Sequence, residues 1–196
     1  MKPNKYVIGL TGTIASGKST TAKYLEKAYQ IPRIDADLVA REVVEEMKYQ
    51  LAEEFGSEII VDGQLSRPKL GSIVFADGEK LNKLIAMTHP ATCRKIEQWI
   101  EEQEEKVVLV EAIELLRSEL KDMVSTVWVV YAKPEIRVQR MMVERGLSEE
   151  EARKPVASQW DDATYQAQAN EVLDGSHDTR HLFEQCDSLI KDLIEC

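Results

Sequence analysis

Long apolar runs are missing from this chain of 196 residues. The longest, such as Val107-Val108-Leu109-Val110, fall far short of the roughly 20 residues that a bilayer-spanning helix needs, so no membrane span is expected. Cysteine is scarce and odd in number. Cys93, Cys186 and Cys196 fit neither a C-x-x-C pattern nor a disulfide framework, and reduced thiols are the expectation. Positive charge is in deficit, with 25 Lys and Arg against 35 Asp and Glu and a formal net charge of −10. Broad nucleic-acid binding needs a basic face to neutralise phosphates and is excluded on this balance. A compact phosphate site needs only a few local donors and is not excluded. The start, Met1-Lys2-Pro3-Asn4-Lys5, runs into a strand-like segment with no apolar leader, and with the reduced thiols this points to a cytoplasmic protein. Internal repeats and low-complexity tracts are absent as well.

What is present suits one globular domain over 1–196, with 43% hydrophobic and 31% charged residues. Short apolar, β-branched segments alternate with helical patterns. Tyr6 to Leu10, Ile31 to Asp35, Val107 to Ala112, Thr126 to Ala132 and Glu171 to Leu173 read as strands. Helices are expected over Lys18 to Tyr29, over Ala36 to Phe55 as one long helix, from near Pro134, and over Thr179 to Ile194. Such alternation implies an α/β fold with a parallel sheet flanked by helices on both faces. The turn-rich stretch Val61 to Pro68 opens a helical excursion, expected over 62–105, before the sheet resumes.

Gly12-Thr13-Ile14-Ala15-Ser16-Gly17-Lys18-Ser19 matches G-x-x-x-x-G-K-[ST], and it follows a strand and opens a helix as that motif requires. Its glycines let successive N–H groups point at phosphate oxygens, and the helix N-terminus adds its positive end. Gly12, Ala15, Ser16, Gly17, Lys18, Ser19 and Thr20 therefore read as an ATP site. Lys18 would reach the β- and γ-phosphates, Ser19 would hold Mg²⁺, and Thr20 would touch the α-phosphate. A GTPase is disfavoured, because Asn82-Lys83-Leu84-Ile85 lacks the Asp of N-K-x-D.

Other residues carry two readings each. Asp35 and Asp37 sit where the second strand ends, the edge at which open α/β sheets bind ligands. One can take an acceptor proton while the other orders Mg²⁺, or Asp35 is a helix N-cap. Glu111, at the end of a buried strand, is either a metal partner resembling the Walker B acid or a solvated loop residue. Arg137, Arg140, Arg145 and Arg153 form either a solvated helix face or a lid over ATP. Ser148-Glu149-Glu150-Glu151 is a capping-box pattern, and a helix–Gly–helix hairpin there suits a lid over 137–160. His177 and His181, with Cys186 beyond, are a weak metal candidate. Trp99, Trp128 and Trp160 read as packing residues.

The chain resembles the dephospho-coenzyme A kinases. The likeness runs through Gly9-Leu10-Thr11-Gly12 into the phosphate loop, then Ile34-Asp35-Ala36-Asp37-Leu38-Val39-Ala40-Arg41. It continues in Asp62-Gly63-Gln64-Leu65-Ser66-Arg67, His89-Pro90, Gly146 to Ala152 and Ala157-Ser158-Gln159. The resemblance implies a P-loop NTPase fold with a helical acceptor-binding segment and a lid. It also implies Mg²⁺-dependent transfer of the ATP γ-phosphate to the ribose 3′-hydroxyl of dephospho-coenzyme A. In that family Asp37 aligns with the base and Lys18 with the phosphate-binding lysine. Arg140 and Arg145 match lid positions, and Asp35, Arg41 and His89 lie toward the acceptor. A related kinase of another nucleoside or small metabolite, or a non-catalytic ATP-binding module, is the alternative. Four segments depart from the family: Glu111-Ala112-Ile113-Glu114 replaces its Pro-Leu-Leu segment, Pro155 stands near an expected lid arginine, Ala169-Asn170 replaces Ala-Asp, and Leu173-Asp174-Gly175 replaces Ile-Asp-Asn. Proline should end or kink its helix at Lys154.

Overall fold

The computed structural model describes residues 5–159 and 162–194. Trp160, Cys196 and the Met1 to Asn4 start, all read above, lie outside the described residues. β1 (Tyr6–Gly12) leads through the phosphate loop into α1 (Lys18–Tyr29), which returns to β2 (Arg33–Asp35). From Asp35 to Glu102 the chain builds a separate compact unit; the residues before and after it form another.

The Asp35–Glu102 unit holds α2 (Ala36–Glu46), α3 (Lys48–Phe55), β3 (Ile60–Val61), β4 (Gln64–Leu65), α4 (Arg67–Val74) and α5 (Gly78–Glu102). The expected single helix over 36–55 is thus two helices, separated at Met47. The break divides the apolar face. Leu51 and Phe55 pack with Ile59, Leu65, Leu70 and Val74 in a core of the unit's own, outside which Val39 and Val43 are buried. β3 and β4 pair antiparallel across Asp62 and Gly63, both at positive φ (51° and 77°), the geometry of a tight hairpin. α5 continues unbroken through His89 and Pro90. The Thr88 and Thr92 hydroxyls donate to the Leu84 and Thr88 carbonyls on either side of the proline.

The other unit resumes with β5 (Val107–Glu111), α6 (Leu120–Met123), β6 (Thr126–Tyr131), α7 (Pro134–Arg145), α8 (Glu149–Ser158), α9 (Asp162–Gln166), β7 (Glu171–Asp174) and α10 (Thr179–Ile194). Its five-stranded sheet has the order β2-β5-β1-β6-β7, and β1 pairs parallel with both β5 and β6. Period-2 alternation sorts the central strand between two faces. Ile8 and Leu10 join Leu109, Trp128, Val130 and Leu173 in a core closed by Ala22 and Leu25 of α1 and by Leu182, Cys186 and Ile190 of α10. On the opposite face Gly9 leaves room for Leu115 and Val124; a Cβ there would lie 2.8 Å from the Leu115 side chain. Burial on both faces explains why these strands read as continuous apolar runs.

α8 corrects one expectation. It runs unbroken from Glu149 to Ser158 with Pro155 inside. The proline costs the N–H bond to the Glu151 carbonyl, yet a complete Ser148–Glu151 capping box and the Arg153–Glu149 and Lys154–Glu150 pairs hold the preceding turns.

α1 and α10 are joined by a polar clasp. The Tyr24 and Tyr29 hydroxyls both donate to Asp187 Oδ1, at 2.5 and 2.7 Å, while Tyr24 stacks on Phe183 with ring centroids 3.9 Å apart. The hydrogen bond to Asp187, and burial after it, pushes the Tyr24 phenol from 10.0 up to about 12. Burial first, then the same carboxylate, brings Tyr29 to about 12. The folded state holds both protons more tightly than the unfolded chain does. Their contribution to stability is therefore complete below pH 10 and is lost as pH rises through 12. In an ultraviolet phenolate titration, Asp187→Asn should bring two of the six tyrosines to ionise at lower pH, and an unchanged titration would exclude the clasp.

Candidate active site

The phosphate loop is built on backbone geometry that few side chains tolerate. Gly17 caps α1 with φ 110°, and no side chain caps that helix. The first N–H groups of α1 therefore remain open donors at its positive end. Ala15 holds φ 58°, a left-handed conformation costing a non-glycine residue about 1–2 kcal/mol. The Thr13 and Ser16 hydroxyls are buried with no hydrogen-bond partner. Buried polar atoms are normally satisfied, and these two line a cleft of about 540 Å³ formed by Gly12 to Thr20, Arg145, Gln159 and the start of α10. Strained backbone, open amides and orphaned hydroxyls facing one cavity suit an anionic phosphate chain.

Beneath the loop lies Glu111, at the end of β5. Its side chain is only 2% exposed, which rules out the solvated-loop reading. Oε1 accepts from Lys18 Nζ at 2.6 Å and from Ser19 Oγ at 3.0 Å. The Ser19–Glu111 pair fits Mg²⁺. Both offer hard oxygen donors, and a metal–oxygen distance of about 2.1 Å places adjacent octahedral ligands about 3.0 Å apart. Lys18 is thus aimed at the same point, from which it can turn to phosphate.

Three residues outside the motif brace the loop. Arg140 Nη1 donates to the Ala15 and Ser16 carbonyls at 3.0 and 3.1 Å, and Nη2 to the Gly175 carbonyl at 2.6 Å. Gln159 Oε1 accepts from the Ile14 N–H at 2.7 Å. Gly175 lets the end of β7 lie against the loop, since a Cβ there would stand 2.1 Å from the Ser16 carbonyl oxygen. Sequence reasoning assigned no role to Gln159 and treated Gly175 only as a departure; the structure shows contacts for both that no local pattern encodes.

The other candidates fall as follows. Arg145 lines the cleft, exposed and without an ion pair among the described residues. Arg137 is buried and pairs with Asp162 at 3.1 Å, a packing role rather than a lid face. Arg153 pairs with Glu149 on the α8 surface. In the Asp35–Glu102 unit, Asp35 Oδ1 accepts from the Asp37 and Leu38 amides at 2.9 and 3.3 Å, so the N-cap reading of Asp35 holds. That cap orients the first turn carrying the half-buried Asp37, and Arg41 stands exposed one turn on. His89 is half-buried, with Nε2 3.5 Å from Cys93 Sγ. The rings of His177 and His181 meet edge to face at 4.9 Å. Cys186 points into the core, where burial pushes its thiol up to about 12, so these three form no metal cluster among the described residues.

A family model described as dephospho-CoA kinase matches residues 6–181. The chain is 38% identical over 192 residues to a protein named dephospho-CoA kinase from Synechococcus elongatus, covering 95% of this chain and 92% of that one. A crystal structure from Thermus thermophilus superposes with a TM-score of 0.86 at 30% identity, covering 96% and 98% of the two chains. The dephospho-CoA kinase from Campylobacter jejuni superposes with a TM-score of 0.64 at 25% identity, covering 96% and 97%.

Installing asparagine at the Gly175 position should force the Ser16 carbonyl away. Calorimetry is expected to show ATP affinity for Gly175→Asn reduced by about tenfold or more, since the 2.1 Å approach leaves no room for a Cβ; an unchanged affinity would refute the packing role.

Proposed function

Because the chain belongs to the dephospho-CoA kinase family, we propose that it transfers the γ-phosphoryl group of ATP to the ribose 3′-hydroxyl of dephospho-coenzyme A. The observation carrying this is the Lys18–Ser19–Glu111 constellation under an open phosphate loop. Lys18 leaves Glu111 and takes the β- and γ-phosphate oxygens, offsetting charge as the phosphoryl group passes in line. Gly12, Ala15, Ser16, Gly17 and Thr20 bind the phosphates through loop and helix amides. Ser19 and Glu111 would hold Mg²⁺, which supplies charge neutralisation between the β- and γ-phosphates. Arg145 reaches toward the transferring group, while Arg140 holds the loop in shape.

Asp37 accepts or orients the acceptor's hydroxyl proton, and Arg41 and His89 bind the acceptor from the Asp35–Glu102 unit. Asp35 serves them by fixing the start of α2. The segment over 62–105 is proposed to bind the acceptor and that over 137–160 to serve as the lid. The cytoplasm is proposed as its compartment; among the described residues no helix is long and apolar enough to cross a membrane.

The test is ADP release from Mg²⁺-ATP with and without dephospho-coenzyme A. Release should need both the acceptor and Lys18, with coenzyme A as product, and Lys18→Ala should be silent. Release that is independent of the acceptor, or nucleotide binding with no turnover, would favour another acceptor or a non-catalytic nucleotide-binding role. Asp37→Asn should lower turnover by about a hundredfold or more while leaving ATP binding within about twofold. Near-normal turnover in that variant would remove Asp37 from its role.

A further inference from the structure

Glu111 has a third partner that the loop chemistry does not use. Its second oxygen, Oε2, accepts from Arg33 Nη1 at 3.3 Å, and the same guanidinium sends Nε to Glu26 Oε2 on α1 at 2.8 Å. Arg33 lies on β2, outside every motif read from the sequence, and its side chain is 25% exposed against 2% for Glu111. The guanidinium therefore bridges a half-exposed carboxylate and a buried one. Its planar fork suits such bridging, which a lysine ammonium reproduces only as a point charge.

The consequence follows from burial. A carboxylate this far from water needs a counter-charge at every stage of its work. At rest Glu111 has two, Lys18 on Oε1 and Arg33 on Oε2. On the reading above, ATP draws Lys18 toward its phosphates, and the carboxylate must then be held by something else.

We propose that Arg33 is a positioning residue for nucleotide loading. It stays on Glu111 Oε2 when Lys18 departs, so that Lys18 is released at low cost and Oε1 remains directed at Ser19. Glu26 keeps the guanidinium in place from the other side. Arg33 need not touch ATP or the acceptor; it acts through Glu111. This inference rests on the nucleotide reading of the loop and is independent of which acceptor is phosphorylated.

The role separates from a merely structural one by its dependence on metal. In EDTA, Arg33 is the sole cation among the described residues left to Glu111 once Lys18 turns away. With saturating Mg²⁺, the metal shares that task. Calorimetric titration of Arg33→Met with ATP in EDTA should show affinity reduced by about five- to tenfold, as for loss of a partly exposed charged hydrogen bond. The same titration in saturating Mg²⁺ should show a loss of about twofold or less. Arg33→Lys should recover most of the EDTA affinity by restoring the charge. In a Glu111→Gln background, where Lys18 has no carboxylate to leave, the Arg33→Met effect should vanish. Equal losses with and without Mg²⁺, or a loss that persists in the Glu111→Gln background, would overturn the proposal, as would no loss at all in a variant whose melting temperature matches the parent. A parent chain that binds no nucleotide under either condition would overturn the kinase reading itself, and this proposal with it.

Discussion

A carboxylate buried under the phosphate loop sets the terms for the rest of the site. Glu111 ends a strand in the middle of the sheet, nearly sealed from solvent. Removing one partner from a buried charge of this kind costs about 3–5 kcal/mol. The chain meets that demand from three directions: Lys18 and Ser19 come from the loop and α1, and Arg33 comes from β2. These elements meet because β1 runs parallel beside β5 with Leu10 opposite Glu111, so the loop emerging from β1 begins directly above the carboxylate. The sheet register thus fixes where the Glu111 carboxylate, the Ser19 hydroxyl and the Lys18 ammonium converge.

The loop itself is held in shape by residues that line the same cleft. Arg140 takes the Ala15, Ser16 and Gly175 carbonyls, Gln159 takes the Ile14 amide, and Gly175 permits backbone contact with Ser16. Ile14 and Ala15 also pack with Val138, Met141, Ala152 and Val156 of α7 and α8. The hairpin bearing the cleft arginine is consequently attached to the phosphate loop by both apolar contact and hydrogen bonds.

Much of the fold was legible in local pattern. α1 and α10 begin and end where their periodicity and turn signals place them, and the β-branched runs at Val107 and Thr126 are strands. The misreadings have distinct causes. Ala36 to Phe55 carries one continuous apolar stripe, yet the helix breaks at Met47, whose φ and ψ of −87° and 7° leave the helical range although Val44 and Met47 pack against the same cluster as Leu51 and Phe55. Pro155 is tolerated because a capping box and surface ion pairs secure the turns before it. β3 and β4, two residues each, are too short for any periodicity to register, although Asp62-Gly63 between them is a hairpin signal.

The sequence by itself determined the phosphate loop, because its chemistry depends on glycine freedom, a helix N-terminus and a lysine at fixed spacing, all local properties. It determined the capping of α8 by Ser148 for the same reason, and offered Asp35 as the cap of α2 as one of two readings, since the donors and acceptors lie within three residues of one another. Only the tertiary structure decided what Glu111, Arg140, Arg33 and Gln159 do. Their partners lie 78 to 145 positions away along the chain for Arg33–Glu111, Lys18–Glu111, Arg140–Ala15 and Gln159–Ile14. Such contacts are set by sheet register and helix packing, so a charged residue that looks solvated in sequence can be the buried hinge of the site.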